Sequence, residues 1–208
     1  MSDLSFRRAL EAESDLVADL VFGSEDDVGR QIAIAIYGVR DGERLRPLFR
    51  RAWRDAANWR HTTLAIDHTG EVVGLVQTGR SSLRITPRLV VAACRALRWR
   101  ALRLPWRLRV FDAVSPGKPD DAFVVSELHV HPEHRGAGIG SRLLRHAEEL
   151  ARTHGHLQIA LDTYTTNPAR RLYERSGYET VAGTFDARFE RLCGTRGRVL
   201  YVKQITEP

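Results

Sequence analysis

Cysteine, lysine and long apolar segments are scarce in this chain of 208 residues. The two cysteines, Cys94 and Cys193, lie far apart and form no C-x-x-C pair, so neither a disulfide framework nor a zinc signature is predicted. Apolar runs such as IAIAIY at residues 32–37 are far shorter than a membrane-spanning helix. The first residues lack the apolar core of a secretory signal. We therefore expect a reduced, cytoplasmic protein with no integral membrane association.

The positive charge is carried almost wholly by arginine and is concentrated in one segment. The chain has 32 basic and 26 acidic residues, a net charge of +6, and only two of the basic residues are lysine. Residues 80–109 hold nine arginines and no acidic residue, so removing these charges leaves −3 for the rest of the chain. The segment is also rich in Leu, Val and Trp. We predict one or two basic amphipathic helices there, broken near Pro105.

Four interpretations of this basic segment remain open. It can be a solvated face with a stripe that faces the core, or a lid over a pocket for an anionic ligand, since arginine binds two oxygens of a phosphate or carboxylate. It can also be a membrane-surface helix or a nucleic-acid contact.

Hydrophobic periodicity predicts an α/β chain with a mixed sheet (α+β). Strands are predicted at residues 5–10, 62–66, 72–77, 123–130 and 157–163, from residue 178 onward and at 198–205. Helices are predicted near residues 16–21, at 27–37, at about 43–59, at 138–153 and at 168–176. We expect a single domain over residues 1–208, with the basic segment as an insertion at about residues 80–119.

The most informative stretch is HPEHRGAGIG at residues 131–140, between a predicted strand and a predicted helix. Glycines let backbone N–H groups turn toward a ligand. The N-terminus of the next helix adds unpaired N–H groups and the positive end of its dipole. Together these features predict an anion site, most naturally for phosphate.

Two common phosphate loops fit this stretch poorly. A Walker loop ends in Gly-Lys-Ser/Thr, whereas residues 140–142 read Gly-Ser-Arg. A Rossmann fingerprint is matched at Gly136 and Gly138, but Ser141 stands at its third glycine. Asp162, at the end of the next strand, keeps the Rossmann alternative open.

A third pattern fits better. Arg135-x-x-Gly138-x-Gly140 resembles the Gln/Arg-x-x-Gly-x-Gly/Ala motif of the GNAT superfamily of acyl-CoA-dependent N-acyltransferases. Residues 126–132 (SELHVHP) resemble the family's fourth strand, and residues 167–178 (NPARRLYERSGY) resemble its late helix. Thr166 stands where the family often has Asn, with Asn167 one residue later, and Tyr178 replaces a commoner Phe.

The resemblance, clear over about residues 123–181, implies a fold and a co-substrate. The fold is a central twisted, mostly antiparallel sheet of about six or seven strands, flanked by helices and splayed between the fourth and fifth strands. The co-substrate is acetyl-CoA, with its pyrophosphate on the loop amides and its pantetheine arm along the fourth strand, and no metal is expected. The implied cofactor-binding residues are Leu128, His129, Val130, Arg135, Gly136, Ala137, Gly138, Ile139, Gly140, Ser141, Asn167 and Tyr173.

Three side chains are candidates for catalysis. Glu127 is the first candidate for the base, acting through water, and strand alternation puts it on the same face as His129. His129 is the second candidate, because imidazole exchanges protons near neutral pH. Tyr173 matches a family tyrosine that can protonate the leaving thiolate or donate a hydrogen bond to its sulfur. The alternative for Glu127 is a structural carboxylate, that for His129 is an ordinary polar strand residue, and that for Tyr173 is an aromatic that packs the helix on the sheet.

His129, His131 and His134 are not expected to bind a metal, because Pro132 and the loop turn point them in different directions. The predicted function is an N-acetyltransferase that moves an acetyl group from acetyl-CoA to a primary amine. The rival is a non-catalytic acyl-CoA-binding or regulatory module whose basic insertion contacts a membrane or nucleic acid.

The acceptor stays open between a small-molecule amine, an aminoglycoside-like polyamine, a peptide N-terminus and a protein lysine. Acidic residues 25–27 would attract a cationic amine, whereas the basic insertion would attract an anion or cap the pocket. The expected partner is a small-molecule or peptide amine acceptor and not a nucleic acid, and a homodimer is one option for the assembly.

Overall fold

Strands and helices alternate along this computed structural model, which describes residues 4–23, 27–79 and 86–205. The strands are β1 (Ser5–Arg8), β2 (Thr62–Ile66), β3 (Val72–Thr78), β4 (Phe123–Val130), β5 (Gln158–Tyr164), β6 (Glu179–Phe185) and β7 (Gly197–Gln204). The α-helices are α1 (Ser14–Phe22), α2 (Val28–Tyr37), α3 (Arg46–Asp55), α4 (Pro87–Leu97), α5 (Leu104–Asp112), α6 (Ile139–Thr153), α7 (Arg170–Arg175) and α8 (Ala187–Cys193). Within these ranges no helix has both the length and the apolar content needed to cross a membrane.

The strands form one seven-stranded sheet in the order β1-β2-β3-β4-β5-β7-β6. All neighbouring pairs are antiparallel except β4 and β5, which run parallel. The predicted α/β class and the mostly antiparallel sheet are therefore confirmed. In the described structure β4 and β5 pair only at Phe123↔Ile159 and Val124↔Ala160, so the two strands part toward their carboxyl ends. The predicted splay between the fourth and fifth strands is found at this point.

Helix α6 holds the two sides of the splay together. Its buried residues Leu143, Leu144, Ala147 and Ala151 pack in the main core with residues of β3, β4 and β5. Each buried leucine contributes about 1.5–3 kcal/mol relative to exposure. A Cβ added to Gly74 of β3 would lie 2.8 Å from the carbonyl oxygen of His129, so only glycine lets β3, β4 and α6 meet this closely.

The described part of the basic segment, from residue 86 onward, is largely helical and lies over the early helices. Helix α4 buries Leu89 and Leu97 in a cluster that includes Leu48 of α3. A 3-10 stretch (Arg98–Arg103) leads to α5, in which Pro105 occupies the first turn. Arg107 of α5 donates a hydrogen bond of 3.0 Å to the carbonyl oxygen of Ala35 in α2. This bond fixes the segment to α2, while residues 80–85 lie outside the described residues.

One sequence prediction needs correction, and the structure adds one helix. The helix expected at about residues 43–59 is α helical only over α3, between the 3-10 turns Gly42–Leu45 and Asn58–His61, because Ala57 adopts a positive φ of 53°. Helix α8 was not predicted, although Asp186 caps its start and Gly194 ends it in a left-handed conformation. It forms because Phe189 is fully buried beside Phe111 and Tyr164, which is a long-range contact.

Candidate active site

A cleft of about 790 Å³ opens where β4 and β5 part. Its border includes the loop after β4, the carboxyl halves of β4 and β5, helix α7 and one side of α2. Since β4 pairs with β3 and β5 pairs with β7 on their outer sides, their inner edges turn backbone N–H and C=O groups toward the cleft. The cleft can therefore accept an extended, strand-like ligand.

The loop between β4 and α6 forms one end of this cleft. Gly136 and Gly138 have positive φ values of 82° and 79°, and a Cβ at either residue would meet no described atom within 4 Å. The amide of Arg135 donates to the carbonyl oxygen of Pro132 at 3.2 Å, and that of Arg142 donates to Gly138 at 3.2 Å. Between them, the N–H groups of residues 136–141 have no acceptor among the described residues. The amides without an acceptor therefore begin at residue 136, one residue after the start of the predicted range, and lie beside the N-terminus of α6, an arrangement that suits an anion.

Gly140 lies in the first turn of α6 for a different reason. A Cβ there would approach Leu172 of α7 to 3.0 Å and Val130 of β4 to 3.7 Å. The residue therefore brings three elements together at the loop. All predicted cofactor-binding residues border the cleft except Ala137.

The Arg135 side chain ties the loop to the early part of the chain. It donates to the carbonyl oxygen of Val130 at 3.2 Å and to Asp27, before α2, at 2.7 Å. Asp27 was expected, with Glu25 and Asp26, to attract a cationic amine, but its carboxylate pairs with Arg135. Glu25 and Asp26 lie outside the described residues.

Glu127 and His129 lie side by side on the cleft face of β4. Their side chains are 31% and 22% exposed, and His129 Nε2 lies 3.0 Å from Glu127 Oε2. This contact places an imidazole and a carboxylate within proton-transfer distance, and both groups remain reachable from the cleft. The alternation of the strand predicted their common face, and the structure has that arrangement.

Tyr173 of α7 borders the cleft although the residue is only 6% exposed. Its ring packs against Tyr201, with 5.6 Å between ring centroids. Burial, reinforced by the negative charges of Glu127 and Asp162, raises the pKa of Tyr173 well above its ordinary value. The group is therefore a neutral phenol at physiological pH, with a hydrogen available for a hydrogen bond.

Asn167 stabilises the turn that leads into α7. Its amide nitrogen donates to Thr163 Oγ1 at 2.8 Å, and its oxygen accepts from the N–H of Ala169 at 2.9 Å. The side chain therefore has internal partners at the cleft border. Its contact with a cofactor stays a prediction.

Sequence reasoning missed a buried ionic cluster at the cleft. The Asp162 side chain is 3% exposed and pairs with Lys118 and Arg198. Arg198 also lies over the ring of Tyr164, at 5.2 Å from its centroid. These contacts give Asp162 a structural role on β5 and remove the reason for a Rossmann ribose site. No local pattern in the sequence connects residues 118, 162 and 198.

Helices α2 and α5 give the cleft a mainly apolar wall. Helix α2 presents Ile32, Ala33 and Ile36, and α5 adds Leu108 and Phe111. The described part of the basic insertion thus contributes apolar side chains, and not arginine, to the cleft. Among the described residues no group of three or more His, Cys, Asp or Glu side chains is arranged to hold a metal ion.

Comparison with known proteins gives a consistent family and fold. The model of the acetyltransferase (GNAT) family matches residues 30–178. Streptothricin acetyltransferase of Streptomyces lavendulae is 38% identical over 69 residues, which are 33% of this chain and 36% of that protein. The match thus spans about a third of the curated relative.

Solved structures align over nearly the whole chain. PaiA N-acetyltransferase from Thermoplasma acidophilum, solved with coenzyme A, has a TM-score of 0.56 and 12% identity over 97% of this chain and 99% of that chain. The C-terminal condensation domain of Ebony, solved with beta-alanyl-dopamine, has a TM-score of 0.62 and 10% identity over 99% and 100% of the two chains. At such identities the likeness shows the fold alone.

Proposed function

Since the chain belongs to the acetyltransferase (GNAT) family, we propose that it transfers an acetyl group from acetyl-CoA to a primary amine by direct attack in a ternary complex. The observation that carries this proposal is the cleft between β4 and β5, which joins an anion-binding loop to the Glu127–His129 pair. A protein that only bound acyl-CoA would need neither this pair nor Tyr173.

Acetyl-CoA fits the cleft in chemistry and in shape. The open amides of residues 136–141 and the N-terminus of α6 would hold the pyrophosphate, and the open space at Gly136 and Gly138 leaves room for it. The pantetheine arm would lie along the inner edge of β4, where residues 128–130 offer backbone groups. The thioester would then lie near Glu127 and Tyr173.

The reaction we propose balances its protons within this cleft. The amine nitrogen attacks the thioester carbonyl carbon, and the C–N bond forms while Glu127, through water, or His129 takes the amine proton. A backbone N–H of β4 stabilises the oxyanion, an effect that is typically worth ~3 kcal/mol. The C–S bond then breaks, and Tyr173 protonates the departing thiolate.

The acceptor we propose is a small-molecule or peptide amine. The match to streptothricin acetyltransferase, a protein named for a small-molecule substrate, supports this class. The apolar wall of α2 and α5 favours an amine that carries an apolar group near the reacting nitrogen. A cytoplasmic location and a homodimer stay predictions.

The test is thiol release from acetyl-CoA with a panel of amines, measured across pH. Glu127→Gln keeps a partner for His129 but cannot take a proton. We expect kcat/KM to fall on the order of 100-fold and the acidic limb of the pH–rate profile to change. The matched control is Glu71→Gln, an exposed residue in the turn between β2 and β3.

Three outcomes would overturn all or part of this proposal. An unchanged pH–rate profile in Glu127→Gln removes Glu127 as the base, and the same experiment with His129→Asn then tests the second candidate. Thermal stabilisation by CoA without thiol release for any amine supports the non-catalytic module instead. No stabilisation by CoA contradicts both functions.

A further inference from the structure

The basic insertion presents an apolar surface to solvent that no described residue covers. Of the eleven exposed large apolar side chains in the described structure, six lie in residues 86–112. Exposed apolar side chains are therefore clustered in this segment and not spread over the surface. Leu102 is 85% exposed, Trp99 62% and Trp106 52%. Such exposure of two tryptophans and a leucine within eight residues needs an explanation other than core packing.

These side chains lie on one side of the helical stretch that runs from the 3-10 turns into α5. Leu102 and Arg103 lie three and four residues after Trp99, Trp106 lies three and four residues after that pair, Arg109 follows three residues later, and all five are exposed. We call this set the insertion face. The opposite side carries Leu104 and Val110, which pack inward. The stretch is therefore amphipathic, with an outer side that mixes apolar and cationic groups.

The charged residues that the basic segment itself contributes around the insertion face are all positive. Arg95 and Arg98 are exposed beside it and, like Arg103 and Arg109, form no ion pair with a described residue. Arg100 lies over the ring of Trp99, at 4.8 Å from its centroid. No acidic residue occurs between residues 80 and 111, while the rest of the chain is net negative. The surface thus has one strongly cationic pole.

We propose that the insertion face docks on the surface of an anionic lipid bilayer. Tryptophan is favoured at the lipid headgroup level, arginine binds lipid phosphate, and an exposed leucine gains from burial at the acyl boundary. A nucleic acid would use the arginines and could stack on the tryptophans, but Leu102 would gain little there. A second copy would bring the same positive charges against this face.

The segment is held ready for such docking. Besides the Arg107 bond to α2, Thr86 at the start of α4 donates to Asp55 of α3 at 2.8 Å. The insertion face is thus mounted on a packed layer, so docking requires little ordering of the chain. The net negative charge of the remaining surface would be repelled by an anionic bilayer, which fixes the orientation.

The experiment is co-sedimentation of the full chain with vesicles. One set is phosphatidylcholine alone, and the other contains about a third phosphatidylglycerol. We expect binding to the anionic vesicles only, weakened by salt, with a blue shift of tryptophan fluorescence. The triple variant Arg95→Gln/Arg98→Gln/Arg103→Gln should lower the partition coefficient on the order of 100-fold. The triple variant Trp99→Ser/Leu102→Ser/Trp106→Ser should abolish binding.

The matched control removes three exposed arginines elsewhere, Arg8→Gln/Arg145→Gln/Arg152→Gln, and should bind like the unmodified protein. Circular dichroism and thermal melting verify that each variant is folded. Three results overturn the proposal: no binding to anionic vesicles at low salt, equal loss in the control, or binding of a single-stranded oligonucleotide without any binding of vesicles. Thiol release by the variants separates this proposal from the acetyltransferase function, since the insertion face lies outside the catalytic groups.

Discussion

Tyr173 is the residue whose environment bears most directly on the chemistry. The phenol is buried at the cleft border, and its raised pKa keeps the proton on the oxygen. Tyr173→Phe retains the packing ring, so we expect the fold to persist while kcat falls on the order of 100-fold through loss of the proposed acid. Steady-state thiol release measures this, with the KM for acetyl-CoA nearly unchanged.

Tyr178→Phe is the control for this prediction. Tyr178 is also buried, with its ring centroid 6.3 Å from that of Tyr173, but it does not border the cleft. Its loss of a hydroxyl should leave kcat unchanged. If Tyr173→Phe and Tyr178→Phe have the same kcat, Tyr173 is a packing residue and another group protonates the thiolate.

Some contacts at the residue scale follow from the sequence and others do not. The Glu127–His129 pair lies on one strand, where alternation every second residue places both side chains on one face. Arg135 and Asp27 are 108 positions apart, and their ion pair forms only because the fold brings α2 beside the loop. The same holds for Asp162 and its partners. Local periodicity carries no information on such pairs.

At the scale of elements, the loop between β4 and α6 can be tested through its glycines. Gly138 has a φ of +79° with open space where a Cβ would go, and Gly194 at the end of α8 has a φ of +71° with the same open space. Alanine at either position costs about 1 kcal/mol through left-handed strain. Only Gly138→Ala should raise the KM for acetyl-CoA, about 10-fold, because it disturbs the amides that we propose hold the pyrophosphate.

Thermal melting and the KM for acetyl-CoA together decide this test. The two variants should have similar losses in melting temperature, which makes Gly194→Ala a matched control for backbone strain. A KM that rises equally in both variants would mean that strain alone disturbs the site. A KM unchanged in Gly138→Ala would contradict the role of the loop.

Most elements could be predicted because their periodicity and their ends agree. Strand β4 was predicted with its observed bounds, and α6 begins one residue after the predicted start. Helix α8 has seven residues, too few to show a period, and it depends on burying Phe189 between α5 and β5. Its capping residues Asp186 and Gly194 were the available signal. The mostly antiparallel sheet and the splay came from the family resemblance and not from periodicity, and the order of the strands was not predicted.

At the scale of the whole molecule, the positive net charge comes from the basic segment and not from the residues that border the cleft. The cleft is bordered mainly by glycines, apolar side chains and the internal pairs of Asp27 and Asp162, while the unpaired arginines lie on the outer side of the insertion. The sequence located this charge correctly. It could not show which side of the insertion faces the cleft, because that depends on its packing against α2 and α3.

Tyrosines whose pKa is raised by burial also make the free energy of unfolding of the whole molecule fall in the alkaline range. Burial raises the pKa of Tyr164 from 10.0 to about 12. Between these values the unfolded chain loses the phenol proton while the folded protein keeps it. The unfolded state then binds fewer protons, so the free energy of unfolding falls as pH rises. The contribution of Tyr164 is complete below about pH 10 and is lost at about 1.4 kcal/mol per pH unit above it.

Tyr164→Phe should therefore flatten the alkaline decline. Urea unfolding at several pH values between 9 and 11 should show a smaller decrease in this variant than in the unmodified protein, although the raised pKa values of Tyr173 and Tyr178 leave part of it in place. Ile159→Val, a fully buried position on β5, is the control. It should lower stability by about 1 kcal/mol at every pH without changing the slope. Parallel curves for Tyr164→Phe and the unmodified protein would show that the phenol of Tyr164 titrates alike in the folded and unfolded states.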